Sequence, residues 1–166
     1  MKDGLVAEGK LSLKYAPELT IQGISTGRQA LLDASYINYA QAITGVRTVV
    51  PRIWGYGNIG NTLLVVVGID QQYASLFNLT SAYPIKSGTF LDPNSDDSIV
   101  IGEAVADLLR ADVGSVLSIL TESNNARQYT VAGIFDSESS IYNGDMILMN
   151  FDETRTFFLS PPLSCN

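Results

Sequence analysis

Apolar and polar positions alternate with a two-residue period in some stretches of this chain and with a 3.6-residue period in others, and the changes of period mark out its elements. Leu19-Thr20-Ile21-Gln22 carries the pattern of a half-buried strand. A helix is expected within 28–44, with its body at 33–44, because Tyr36, Ile37, Ala40 and Ile43 recur at helical spacing. Two starts compete for it: Asp33 as an N-cap, or Thr26 with Gln29 as a capping box. Gly45 stands where a left-handed C-cap would end it.

Val46 to Ile53 reads as a strand that Pro51 confines to an edge or a bulge. Thr62 to Ile69 reads as a strand buried on both faces, since its apolar run is nearly continuous. A short helix is expected at 71–77, a turn at Gly88 to Leu91, an acidic loop at 92–97 and a short strand at Ser98 to Ile101. Glu103 to Arg110 then gathers Ala104, Val105, Leu108 and Leu109 on one helical face. Val116 to Thr121 and Gln128 to Phe135 form an expected hairpin around the polar loop 122–127. A strand at Asp145 to Met149 and a helix at Asp152 to Phe158, capped by Asp152 and stopped before Pro161-Pro162, complete the pattern.

Strands and helices are intermixed without regular alternation, which favours an α+β fold, a mixed β-sheet with short packed helices. Residues 1–17 are weakly patterned and expected to be poorly ordered; 18–160 is expected as one core domain, with two small intermixed subdomains as a variant, and 161–166 as a tail. At 166 residues the chain is long enough to bury a core without staples. Its charged share of 16% is low, so Ser, Thr, Asn, Gln and Tyr must cover the surface, a composition more common outside the cytoplasm. The net charge of −7 leaves no basic footprint and argues against nucleic acid as a partner. No apolar run approaches the length of a membrane span, the longest being Leu63 to Val67, and no signal peptide precedes the fold; any anchoring spans are expected beyond the two ends.

The chain contains no His, which removes Ser-His-Asp and Cys-His nucleophiles, His-ligated zinc and imidazole acid–base catalysis. Cys165 has no partner for a disulfide and fits no metal spacing. Gly55-Tyr56-Gly57-Asn58-Ile59-Gly60 matches the dinucleotide fingerprint, but strand-forming residues follow it where the mechanism needs a helix N-terminus. A glycine-rich hairpin connection or bulge is the expected reading. Asp92 to Glu103 places carboxylates at several calcium-loop positions, yet Asp97 stands where the loop needs Gly and Pro93 enters it, so a solvated acidic turn is favoured. Asp136, Glu138 and Asp145 are read as a solvated loop rather than a hydrolytic pair. Trp54, Tyr56 and Tyr142 are read as core or strand-face aromatics, and Asn78-Leu79-Thr80 is a formal glycosylation sequon. No catalytic, cofactor-binding or metal residue is assigned.

Six segments in order carry a family resemblance. Ile43 to Arg52 resembles a "PGV…V.PR" segment, Val67-Gly68-Ile69-Asp70 a "V.GID" strand end, and Ile85 to Leu91 an "I..GRFL" turn. Ser98 to Ala106 resembles a "VVIGE.LA" strand–helix junction, Val113-Gly114-Ser115 a "GD" turn, and Tyr129 to Ser137 an "F.VVGIF.S" strand. Together they resemble the periplasmic core domain of MacB/FtsX-type ABC transporter permeases, a family related to lipoprotein-releasing permeases. The resemblance implies a non-enzymatic extracytoplasmic domain inserted between two membrane helices, coupling transport or contacting an adaptor or substrate. It implies as partners the permease's own helices, a cytoplasmic ATPase, a second permease subunit and an adaptor, with no cofactor. The ends of the ordered body, near Glu18 and Phe158, would then emerge on one side. An extracytoplasmic small-molecule or peptide-binding sensor module is the alternative, and a carboxylate-dependent hydrolase a third.

Overall fold

Short strands and short helices account for most of the described residues, and the two-residue period of the strands decides which core each side chain enters. The computed structural model describes residues 10, 19–25, 28–30, 32–73, 79–121 and 125–159. Glu18, Thr26, residues 74–77 of the expected 71–77 helix, Asn78 and Cys165 lie outside them. Two compact units divide the chain, Ala16–Pro51 and the remainder.

In the smaller unit, β1 (Gly23–Ser25) pairs antiparallel with β2 (Arg28–Ala30). The strand expected at 19–22 is not formed; Leu19 and Ile21 are exposed, without the sheet face that alternation would need. Helix α1 (Ser35–Gln41) is shorter than the expected 33–44. Its N-cap is Ala34 rather than the expected Asp33, whose Oδ1 accepts a hydrogen bond from the Ser35 N–H at 2.8 Å in the turn just before it. Beyond it, the strand expected from Val46 is absent. Gln41 takes the groups a ladder would use: its Oε1 accepts from the Val49 N–H at 3.0 Å, and its Nε2 donates to the Arg47 carbonyl at 3.3 Å.

The larger unit is a mixed sheet. Its strands are β3 (Ile53–Ile59), β4 (Thr62–Ile69), β5 (Ile85–Gly88), β6 (Ser98–Gly102), β7 (Val116–Leu120), β8 (Ala126–Phe135) and β9 (Met146–Asn150). They lie in the order β5-β8-β6-β9-β4-β3-β7, and β7 pairs again with β8. That second pairing, with the Asn58↔Leu120 bridge between β3 and β7, curls six strands into a ring that leaves β5 at the edge. The β4–β9 and β6–β8 pairs are parallel and the others antiparallel.

The glycine-rich segment is therefore β3 itself. Gly60, at φ 58, and Asn61 make the two-residue turn into β4, and a glycine at the first central position is what a type II′ hairpin turn requires.

Successive residues of the central strands enter opposite cores. Leu64, Val66, Ile99, Ile101, Ile147 and Met149 face the inside of the curl. Val67, Ile69, Val100, Met146 and Leu148 face the outside. β4 thus buries both faces from Val66 to Ile69, as its apolar run predicts, while Leu63 near its start is exposed. On β8 the register shifts between the pairs Ile99↔Val131 and Val100↔Gly133. This bulge changes the phase of alternation, so Tyr129, Val131 and Ile134 all join the inner core while Phe135 joins the outer one.

Four helices pack on the curl: α2 (Leu79–Ala82), α3 (Glu103–Leu109), α4 (Ser140–Asp145) and α5 (Phe151–Leu159). Helix α4 replaces part of what reads as a solvated loop. Asn143 organises the preceding turn, accepting from the Ser137 N–H at 2.7 Å and donating to the Asp136 carboxylate at 2.8 Å. Among the described residues no helix is long and apolar enough to cross a membrane.

Candidate functional site

The C-terminal helix α5 is held to the inner face of the sheet more closely than its amphipathic pattern alone suggests. Phe157, 1% exposed, enters the inner core and meets the Tyr129 ring edge-to-face at 6.0 Å. Thr154 is fully buried, and its Oγ1 donates to the Asn150 carbonyl at 2.8 Å. Two strand glycines make room for the helix. A Cβ on Gly68 would lie 3.0 Å from the Thr154 side chain, and one on Gly55 would lie 2.7 Å from the tip of the Phe158 ring. The glycines of the dinucleotide-like segment are thus used for close helix–sheet approach and a turn. No helix follows them to present N–H groups to a phosphate.

A charged group completes the attachment. Glu153, in the first turn of α5, accepts a 2.5 Å hydrogen bond from the Tyr129 hydroxyl and a 2.9 Å hydrogen bond from Arg127 Nη1. Glu153 is 9% exposed, so a lone carboxylate there would be costly; the two donors compensate it. Burial, and next the hydrogen bond and charge of Glu153, push the Tyr129 phenol well above the ordinary range. These three residues lie 24 to 26 positions apart between strand and helix, and no local motif announces them. Only the early acidic residue of a helix was legible.

The expected site-like segments are committed to structure. In the acidic loop, Asp92 Oδ1 accepts from the Asn94 N–H at 2.9 Å, and Ser95 Oγ donates to Asp97 Oδ1 at 2.8 Å. Asn150 Nδ2 donates to the carbonyls of both Asp92 and Ser95 at 2.7 Å. Gln71 Nε2 in turn bonds Asn150 Oδ1 at 3.1 Å and the Leu91 carbonyl at 2.8 Å. One carboxylate oxygen each of Asp92 and Asp97 is thus engaged within the loop, and two loop carbonyls are engaged by Asn150. Glu103 pairs instead with Lys86 of the edge strand β5. Asp136, Glu138 and Asp145 do not converge, and no cluster of three metal-binding side chains occurs among the described residues.

The aromatics divide. Tyr142 packs against buried Tyr83 in the outer core at 5.7 Å. Trp54 and Tyr56 lie on the outer face of β3 and are 41% and 42% exposed, with ring centroids 5.9 Å apart. Beside them Arg52, Trp54, Val65, Val67 and Met146 line a cleft of about 190 Å³.

A curled mixed sheet, two packed cores and a helix bolted across the inner face define an α+β domain. The chain belongs to the MacB-like periplasmic core domain family, whose model matches residues 8–163. Among solved structures, the extracellular domain of the noncanonic ABC-type transporter YknZ from Gram-positive bacteria is similar, with a TM-score of 0.51 and 14% identity. That match covers 75% of this chain and 65% of the YknZ domain, so the chain spans somewhat less than two thirds of its length. A domain of a putative permease from Porphyromonas gingivalis matches at a TM-score of 0.41 and 15% identity, covering 60% of this chain and 42% of that one. No curated protein sequence matches the chain. The family places the domain outside the cytoplasm and confirms the α+β, MacB-like fold read from the sequence.

Proposed function

We propose that this domain is the non-catalytic, motion-transmitting part of an ABC transporter permease, inserted between two of the permease's membrane helices. The observation that carries the reading is the attachment of α5. Buried Phe157 and Thr154, the Gly55 and Gly68 seats and the Glu153 carboxylate join this helix to the sheet as one packed body. Packed interiors resist compression, so displacement of such a helix is passed to the sheet rather than absorbed. In this reading α5 leads toward the second membrane helix. The chemistry of ATP hydrolysis belongs to a separate cytoplasmic ATPase, and a second permease subunit and an adaptor are the remaining partners. The absence of His, the committed loop oxygens and the dispersed carboxylates support a role without catalysis.

The test uses the full permease in sealed vesicles. In a Cys165→Ser background, an impermeant maleimide should label an Arg155→Cys variant from the extracytoplasmic side, and ATP should change the label's distance to membrane-helix positions. Phe157→Ala, which loosens α5, should leave basal ATPase activity intact while reducing transport-coupled stimulation. Labelling only from the ATPase side, or coupling indifferent to Phe157→Ala, would refute the proposal.

A further inference from the structure

The outer face of β3 and β4 carries an opening that none of the packing described above uses. Its floor and sides are Val65, Val67 and Met146, of which Val67 and Met146 are 4% and 8% exposed, and Trp54 forms a partly exposed wall. At about 190 Å³ it exceeds the roughly 150 Å³ of an apolar cavity that accepts benzene. One ring or one short branched chain fits.

Arg52 sets the polarity of the mouth. It is exposed and lines the cleft, and no carboxylate among the described residues pairs with it. The buried Tyr83 hydroxyl is within its hydrogen-bonding reach, and that neutral partner leaves the guanidinium charge uncompensated. In a chain with seven more acidic than basic residues, a guanidinium without a carboxylate next to an apolar opening favours an anion from outside. The indole wall adds a flat aromatic surface, which suits a ring.

We infer that the cleft lined by Arg52, Trp54, Val65, Val67 and Met146 binds a small amphipathic carboxylate, its ring or short chain against Trp54 and Met146 and its carboxylate on Arg52. This assignment stands on the larger unit alone and does not depend on the transporter reading.

Trp54 is the sole tryptophan of the chain, so its emission reports this cleft directly. Titration of the 166-residue protein with 3-phenylpropanoate should change that emission saturably. Backbone amide shifts in a parallel NMR titration should be confined to Arg52–Trp54, Val65–Val67 and Met146. The uncharged 3-phenylpropan-1-ol should bind about fivefold more weakly, and Arg52→Gln should weaken the carboxylate by a similar factor without affecting the alcohol. Added salt should weaken only the carboxylate. Val65→Phe, which fills the cleft, should abolish binding of both, and Arg52→Gln, at an exposed position, keeps the test decisive if that variant does not fold. A linear, unsaturable response, amide shifts elsewhere, or equal binding of acid and alcohol would overturn the assignment.

Discussion

Glu153 shows at the level of one residue how position decides the meaning of a charge. An acidic side chain in the first turn of a helix is ordinarily a solvated partner of the helix dipole, with a small effect on stability. Here it is buried and satisfied by Tyr129 and Arg127, so an apolar replacement leaves the buried Tyr129 hydroxyl and the half-buried Arg127 without their acceptor. Glu153→Leu should lower stability by roughly 1–3 kcal/mol in urea unfolding, far more than loss of an exposed carboxylate would. The same cluster fixes the alkaline limit of the fold. Tyr129 and Tyr83 both have phenols raised above the ordinary value of 10.0, each first by burial. The unfolded chain loses those protons near pH 10 while the folded chain keeps them, so their stabilising contribution is complete below that pH and is lost as pH rises above it. Unfolding free energy should therefore fall from about pH 10 upward. Two of the eight tyrosines should ionise only with unfolding in an absorbance titration, and Tyr129→Phe should make the decline shallower.

At the scale of elements, glycines and one cap determine how closely strands and helices approach. Gly102 has φ −66 and ψ 152, a conformation open to any residue, so its importance is steric: a Cβ would stand 2.5 Å from the Asn143 carbonyl oxygen of α4. Gly55 faces only the tip of the Phe158 ring, which can turn away. Gly102→Ala should cost about 1–3 kcal/mol and Gly55→Ala under about 1 kcal/mol, since backbone cannot yield where a ring tip can. Equal losses in thermal or urea unfolding would disprove this account. Helix α3 ends on Arg110 in the left-handed region at φ 52, a conformation that favours glycine. Its side chain is exposed, so little is lost with it, and Arg110→Gly should raise stability by about 0.5–1 kcal/mol in the same assay.

For the larger unit as a whole, the ring of strands predicts where protection against unfolding is greatest. β6, β9 and the second half of β8 are buried on both faces and joined by pairings distant in sequence. Their amides should exchange hydrogen only through global unfolding, whereas β5, paired on one side and largely exposed, should exchange through local opening. Exchange measured by NMR or mass spectrometry checks this directly. Rapid exchange along β9 would show that the curl opens as a matter of course, and a domain that opens there would not transmit displacement from α5.

What the residues determined locally was the kind and rough place of most elements in the larger unit. Continuous apolar runs at 62–69 and 98–101 marked strands buried on two faces over most of their length, and the helical spacing at 103–110 and 152–158 marked helices, although at 103–110 the buried residues are Val105 and Ala106 while the expected Ala104 and Leu108 are exposed. The ordered run of family-like segments likewise sufficed for the α+β, MacB-like fold. Tertiary structure decided the rest. Gln41 turned an expected strand at 46–53 into an extended connection, because a side chain supplied the hydrogen bonds that a neighbouring strand would have offered. Gly55 and Gly57 became strand, with the Phe158 ring of α5 and the Ile119 side chain of β7 packed where their Cβ atoms would lie. The buried union of Arg127, Tyr129 and Glu153, and the cleft beneath Arg52, arise only when β8 meets α5 and β3 and β4 lie beside β9. A periodic pattern records which face of an element is apolar. It contains no information about which distant residues that face will meet, and these sites are made from those meetings.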